Sequence, residues 1–279
     1  SLFIKQKLIL MKNLILRSAT LADTFNILIN DGIVVLPSKL GYGILALQES
    51  AVERFYHLKN RPLDKPSGIL ATPEIFKEVT NSVFSEDVSK FNLPVGLIEI
   101  PDWNHPAIQA LPNVTTLKGS IAFFLNLDPF MTKLAKYAWK KNLLITLSSA
   151  NKAGFGNSLF YEKLHHDFKI NVDLSIEGDD LTWKKERGKF DYITSTIIDL
   201  PKRRLIRDGI FADRVKAVAL ELNMITEHLE KLPLREKQQP SFSSCMFLLA
   251  YKESTYRKIP NIRNMDLLVL DLEDSCPNN

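Results

Sequence analysis

Short apolar runs alternate with amphipathic stretches along the first two thirds of the chain. Residues 12–17 read as a short strand. Thr20, with Asp23 three positions later, forms a helix-start pair. The following LADTFNILIN places Leu21, Phe25, Leu28 and Ile29 on one helical face. Asp31-Gly32 is a helix stop. The run 33–36 then reads as a buried strand ending at Pro37, and 42–47 as another. Helix patterns follow at 50–59 and 73–80, with a strand at 67–71 between them. Strands are predicted at 95–100, 120–125 and 143–147, with a helix at 129–140 between the last two. After a loop at 149–157 the pattern predicts a helix at 158–167 and strands at 172–176, 195–199 and 203–207. The alternation is irregular, and several strands are close neighbours in sequence. That favours an α/β domain with a mixed, twisted sheet and flanking helices over a regular doubly wound one.

The pattern changes near 228–244, HLEKLPLREKQQPSFSS, where charge, Gln, Pro and Ser cluster as in a linker. Beyond it, 245–250 and 267–272 read as strands around a polar turn or short helix at 252–264. The expected division is a domain over 12–214, a helix and linker over 215–244, and a short β-α-β-like extension over 245–279.

Composition narrows the classes. The chain has 279 residues, 45% of them hydrophobic, enough for one substantial core and a smaller unit. A net charge of +4 is compatible with nucleotide or RNA contact but is more simply that of an ordinary soluble enzyme. Cys245 and Cys276 lie in no His/Cys cluster, so no zinc site is expected, and a disulfide framework is not expected either. No apolar run reaches membrane-spanning length. Lys5, Lys7 and Lys12 interrupt the basic, apolar start as they would not in a signal peptide, and Met11 reads as a start with ten residues upstream. A reducing, cytoplasmic location is expected.

Four constellations carry possible chemistry. In Lys59-Asn60-Arg61-Pro62, running on to Pro66, two cations one residue apart cannot share a helix face but can converge on phosphates from a turning segment. Alone, this stretch is more simply a solvated basic loop. Ser149-Ala150-Asn151, closing at Gly154, follows an apolar strand and offers hydroxyl, amide and backbone N–H groups to a ligand or to its own turn. Pro37-Ser38-Lys39-Leu40-Gly41-Tyr42-Gly43 joins two strands, either as a glycine-rich ligand approach or as an ordinary β-turn. Ser195-Thr196 opens one strand, and Arg207-Asp208-Gly209 ends the next.

In this order the four resemble the YrdC/TsaC family of threonylcarbamoyl-AMP synthases over about residues 12–214. The resemblance implies a YrdC-like sheet and a nucleotidyltransferase that joins ATP, L-threonine and bicarbonate for tRNA threonylcarbamoyladenosine formation. It implies nucleotide contacts from Lys59, Arg61, Ser149, Asn151 and Arg207, and substrate contacts from Ser38, Tyr42 and Ser195. Mg²⁺ would arrive with the nucleotide, held through phosphate oxygens and not by a protein metal site. tRNA or another RNA is an implied partner.

Departures from that family pattern are concentrated at the acid-handling end. Lys39-Leu40 stands where the family has an acid and a threonine, inverting the local field and removing a hydroxyl. Phe124 stands where the family has an arginine, and 93–100 lacks the family's Pro-Gly-Pro-x-Thr. A second expectation is therefore a nucleotide- or RNA-binding paralogue with weak catalysis. Met246 to Ala250, and Asp266 to the Asp271-Leu272-Glu273-Asp274 run, resemble the opening of an HpcH/HpaI aldolase or citrate-lyase β-subunit barrel. That implies a truncated fragment, since a whole barrel needs about 200 residues. A third expectation is thus an auxiliary domain of a fused aldolase- or lyase-type enzyme.

Overall fold

The computed structural model describes residues 14–16, 20–117, 119–178, 194–226, 245–249 and 267–271. The expected upstream extension, the linker at 228–244 and the turn or helix at 252–264 lie outside them. The chain divides into two compact units, 1–227 and 228–279.

The first unit begins with β1 (Leu14–Leu16) and α1 (Leu21–Ile29). Thr20 caps α1: its hydroxyl accepts from the Asp23 amide at 3.1 Å and donates to the Asp23 carboxylate at 2.6 Å. The buried face of α1 is Thr24, Phe25 and Leu28. Ile29, expected there, is 39% exposed, because the helix is ending and the chain turns through Asp31 at φ 65°. The left-handed residue is thus Asp31 and not Gly32. Gly32 is needed for space instead, since its amide bonds the Ile27 carbonyl at 2.8 Å and a Cβ would press on Ile27.

β2 (Val34–Ser38) runs through Pro37 instead of stopping before it, and pairs antiparallel with β3 (Gly41–Ala46). Its other edge is paired only at Val34 and Val35, so the missing proline N–H breaks no ladder there. Next come α2 (Glu49–Lys59), β4 (Gly68–Leu70), α3 (Pro73–Val79) and β5 (Val95–Glu99). The one-turn α4 (Pro106–Gln109) and two-residue β6 (Thr116–Leu117) precede β7 (Ser120–Leu125), α5 (Pro129–Trp139) and β8 (Ile145–Ser149).

The helix predicted at 158–167 does not form. Only α6 (Asp167–Ile170) is helical there, followed by β9 (Leu174–Ile176), β10 (Thr196–Asp199), β11 (Arg204–Arg207) and α7 (Ala212–Glu221). Tyr161, Leu164 and Phe168 have helical spacing and are buried. The Ser158 carbonyl, however, accepts from the Tyr42 amide at 3.1 Å, drawing this backbone toward β3.

These strands form one mixed sheet in the order β1-β9-β2-β3-β8-β4-β7-β5-β10-β11, with β6 beside β7. Parallel pairs (β1 with β9, β9 with β2, β4 with β7, β5 with β10) are combined with antiparallel ones, as expected for a mixed sheet. On β7, Ile121, Phe123 and Leu125 are buried, and Phe123 packs edge-on against Phe76 of α3 at 5.1 Å. Ser120, Ala122 and Phe124 face the other way and are only partly covered. The second unit contains β12 (Cys245–Leu249) and β13 (Leu267–Asp271), paired parallel.

Candidate functional site

A cavity of about 500 Å³ opens on the Phe124 face of the sheet. That volume suits a nucleotide-sized or smaller ligand. Seven of the eight predicted site residues line it: Ser38, Tyr42, Arg61, Ser149, Asn151, Ser195 and Arg207. They arrive from five places in the sequence, brought together because β3, β8, β4, β7, β5, β10 and β11 are consecutive in the sheet.

Lys59 is the exception. It is the last residue of α2, and Asn60 after it adopts the left-handed conformation at φ 50°. The chain therefore reverses between the two cations. Arg61 reaches the cavity, whereas Lys59 is 1% exposed and does not line it. Its ammonium donates to the Ser149 carbonyl and, at 2.9 Å, to that of Asn151. Its own carbonyl accepts from the Ala153 amide at 2.7 Å. Burial, with the neighbouring Arg61 adding to it, lowers its pKa to about 7. Lys59 thus shapes the 149–153 loop from beneath.

Arg61 fastens its own loop, with Nε donating to the Lys65 carbonyl at 3.1 Å and Nη2 to that of Pro66 at 2.7 Å. Across the sheet, Arg207 donates from Nε to the Ser195 carbonyl at 3.0 Å and from Nη2 to the Ser195 hydroxyl at 2.9 Å. Desolvation of the guanidinium and then the charge of Arg61 hold its pKa below the ordinary value. The field of one arginine therefore reaches the other. Gly209 lets this strand end close up, since a Cβ there would collide with the 194–196 backbone. No acidic side chain lines the cavity among the described residues.

The Ser38 hydroxyl is engaged within its own turn, donating to the Gly41 carbonyl at 2.7 Å and accepting from the Leu40 amide at 3.1 Å. Tyr42 is likewise held, its hydroxyl donating to the Gly178 carbonyl at 2.8 Å. The Asn151 amide nitrogen donates to the carbonyls of Lys152 (3.0 Å) and Phe155. Ser149 is exposed at the open end of β8.

Leu40 and Phe124 line the cavity as their sequence positions imply. Lys39 does not; its backbone amide bonds the Leu127 carbonyl at 3.0 Å, and its charge adds nothing to the lining. Sequence reasoning missed Gly68, Gly96 and Asn157. The two glycines sit within strand patterns, a signal of close approach by another group. A Cβ on Gly68 would lie 2.6 Å from Phe124 Cδ2, and one on Gly96 would lie 2.9 Å from Cε1. The Phe124 ring therefore spreads over both backbones. Asn157 donates to the Leu40 carbonyl at 2.6 Å and ties the loop to the β2–β3 turn.

Among the described residues, no group of three or more His, Cys, Asp or Glu side chains could hold a metal ion. No helix there is long and apolar enough to cross a membrane.

Fold and cavity define an α/β protein with a cavity on one face of a twisted mixed sheet, lined by Arg61 and Arg207. The chain belongs to the Sua5/YciO/YrdC family, whose model, described as "Telomere recombination", matches residues 26–209. Its structure is similar to that of a hypothetical protein, smu.1377c, from Streptococcus mutans, with a TM-score of 0.61 and 19% identity over 71% of this chain and 90% of that one. P. abyssi Sua5 complexed with L-threonine gives 0.59 and 17% identity over 94% and 93%. E. coli YciO gives 0.51 and 17% over 71% and 94%. A search of curated proteins gives no significant match.

Proposed function

We propose that the chain binds ATP in this cavity and transfers its adenylyl group to a carboxylate-type acceptor, the reaction class of the threonylcarbamoyl-AMP synthases. The observation that carries this reading is the convergence of Arg61 and Arg207 on a cavity that, among the described residues, no acidic side chain lines. Two fixed guanidiniums favour a polyanion and neutralise charge that builds on a leaving pyrophosphate. Ser149 and Asn151 border the same space and supply polar contacts to the nucleotide. Mg²⁺ then travels with the phosphates.

The sheet topology shared with P. abyssi Sua5, crystallised with L-threonine, supports threonine as the first acceptor source to try. Its amine takes up CO₂, and the resulting carbamate attacks the α-phosphate. The product serves tRNA modification in this reading. The test is pyrophosphate release from ATP dependent on both L-threonine and bicarbonate. Release without that dependence, or none at all, removes threonine from the reading.

A second reading, a paralogue that binds nucleotide or RNA with weak turnover, is favoured by Phe124 and Leu40 on the cavity wall. ATP affinity without pyrophosphate release from any acceptor would select it. For residues 245–279, the parallel pairing of β12 and β13 supports a β-α-β reading of that segment, and no activity is proposed for it.

A further inference from the structure

Among the described residues, Phe155 alone is a large, exposed apolar side chain that also lines the cavity. It is 74% exposed. A single exposed phenylalanine carries no meaning by itself. This one stands on a loop that is fastened on several sides. Gly154 before it takes φ 88°, and the Phe155 amide bonds the Lys152 carbonyl at 3.1 Å. The Phe155 carbonyl accepts from the Asn151 side chain. Asn157 Nδ2 donates to the Leu40 carbonyl at 2.6 Å, and the Ser158 carbonyl accepts from the Tyr42 amide at 3.1 Å. The backbone thus holds the ring at the cavity while leaving most of it in water.

Asn157 gives a second, separate sign. Its Nδ2 is committed to Leu40, which fixes the direction of the amide. Its Oδ1 is buried and, among the described residues, finds no donor. A buried acceptor without a donor is costly. Asn151 Oδ1 is in the same state, its Nδ2 being given to the Lys152 and Phe155 carbonyls. Both residues line the cavity. The wall around Phe155 therefore lacks N–H or O–H donors that a ligand can bring.

Phosphate groups supply neither a flat apolar face nor such a donor. Arg61 and Arg207 match the phosphates, so these loop groups are left for another part of the same ligand. A base with an exocyclic amine offers both things needed: a π face for the ring and an N–H for an amide oxygen. The base takes one of the two oxygens and leaves the other for a second donor.

We infer that Phe155 and Asn157 form the base subsite of the nucleotide, with the adenine stacked on Phe155 and its amine donating to Asn157 Oδ1. This rests on the nucleotide reading above and assigns the part of the cavity that selects the base. Arg61 and Arg207 serve the phosphates only. Phe155 selects and holds the base and takes no part in bond making.

The test uses the full chain with Mg²⁺ and no acceptor acid. Binding of ATP, purine riboside triphosphate and inorganic tripolyphosphate is measured by calorimetry. The second ligand keeps the rings without the amine, and the third has no base. Phe155→Ala is expected to weaken ATP by about ten- to a hundredfold, the range of one base–aromatic stack, and to leave tripolyphosphate unchanged. Phe155→Trp keeps the ATP affinity, and its added indole emission changes with ATP and not with tripolyphosphate. The parent binds ATP about three- to tenfold more tightly than purine riboside triphosphate, as for one hydrogen bond. That ratio falls to about one in Asn157→Ala, whatever the change in overall affinity. Equal losses for ATP and tripolyphosphate in Phe155→Ala overturn the inference, since they mark a residue that only shapes the loop. A Phe155→Ala protein that binds ATP like the parent overturns it too, as does an unchanged ratio in Asn157→Ala; both leave the nucleotide site standing. Absence of binding by ATP and tripolyphosphate alike overturns the nucleotide reading itself, and the inference with it.

Discussion

Arg207 meets Ser195 twice, through the backbone carbonyl at 3.0 Å and the hydroxyl at 2.9 Å. The pairing of Ile197 with Arg207 across β10 and β11 fixes the approach. The arginine is thereby aimed before any ligand arrives. Holding a charged donor in place in advance removes part of the ordering cost of binding.

Replacing Arg207 by Ala should therefore weaken ATP-analogue binding by about ten- to a hundredfold, as expected for one charge-assisted contact. Arg207→Lys should restore only part of this, because a point charge cannot donate to Ser195 in the same forked geometry. Calorimetry on the three proteins checks both. Equal affinities would remove Arg207 from the site.

Lys59 should leave a pH signature on stability. Its pKa falls from 10.5, the ordinary value expected in the unfolded chain, to about 7 in the fold. Between these limits the unfolded state binds the extra proton. Unfolding free energy therefore rises with pH across that window, by up to about 1.4 kcal/mol per unit. Below pH 7 the full cost of holding the buried charge is present. Denaturant titrations of the parent and Lys59→Met from pH 7 to 10 should diverge with that slope. Parallel curves would contradict the buried position.

Gly96→Ala should destabilise the protein by about 1–3 kcal/mol, since the new methyl meets Phe124 Cε1 at 2.9 Å and Ile197 Cγ1 at 3.1 Å. In a Phe124→Leu background the same change should cost less. A double-mutant cycle by chemical denaturation measures the coupling. Zero coupling would mean that the ring does not lie over Gly96.

Thr20→Ala removes the side-chain cap of α1 and should cost about 1 kcal/mol. Thermal and denaturant unfolding check it. Thr20→Asp should cost much less, because a carboxylate accepts from the same amide.

Much of the fold was legible because local signals and tertiary needs agreed. Thr20 is both a good cap and the right boundary. β7 forms where a strand was predicted, with Phe123 inward toward Phe76. Pro37 misled because only one edge of β2 is paired there, which no local pattern reveals. The segment 158–167 misled because Tyr161, Leu164 and Phe168 mimic a helical face while the Ser158 carbonyl serves β3. At the site, the polar positions could be listed from order and residue type, but not their direction. A single left-handed residue, Asn60, sends Lys59 under a loop and Arg61 into the cavity. The place of the Phe124 ring needed the cross-strand register, which brings Gly68 and Gly96 to either side of it.

β11 ends the order of strands in the sheet among the described residues. An open edge invites pairing with a strand of another molecule, the first step of aggregation. Arg204 and Arg207 stand on that strand, behind Lys202 and Arg203 in the preceding turn. Two copies aligning edge to edge would bring these cations together and repel. Lys202, Arg203 and Arg204 would thus disfavour such pairing, while the Arg207 guanidinium is turned onto Ser195 of the neighbouring strand.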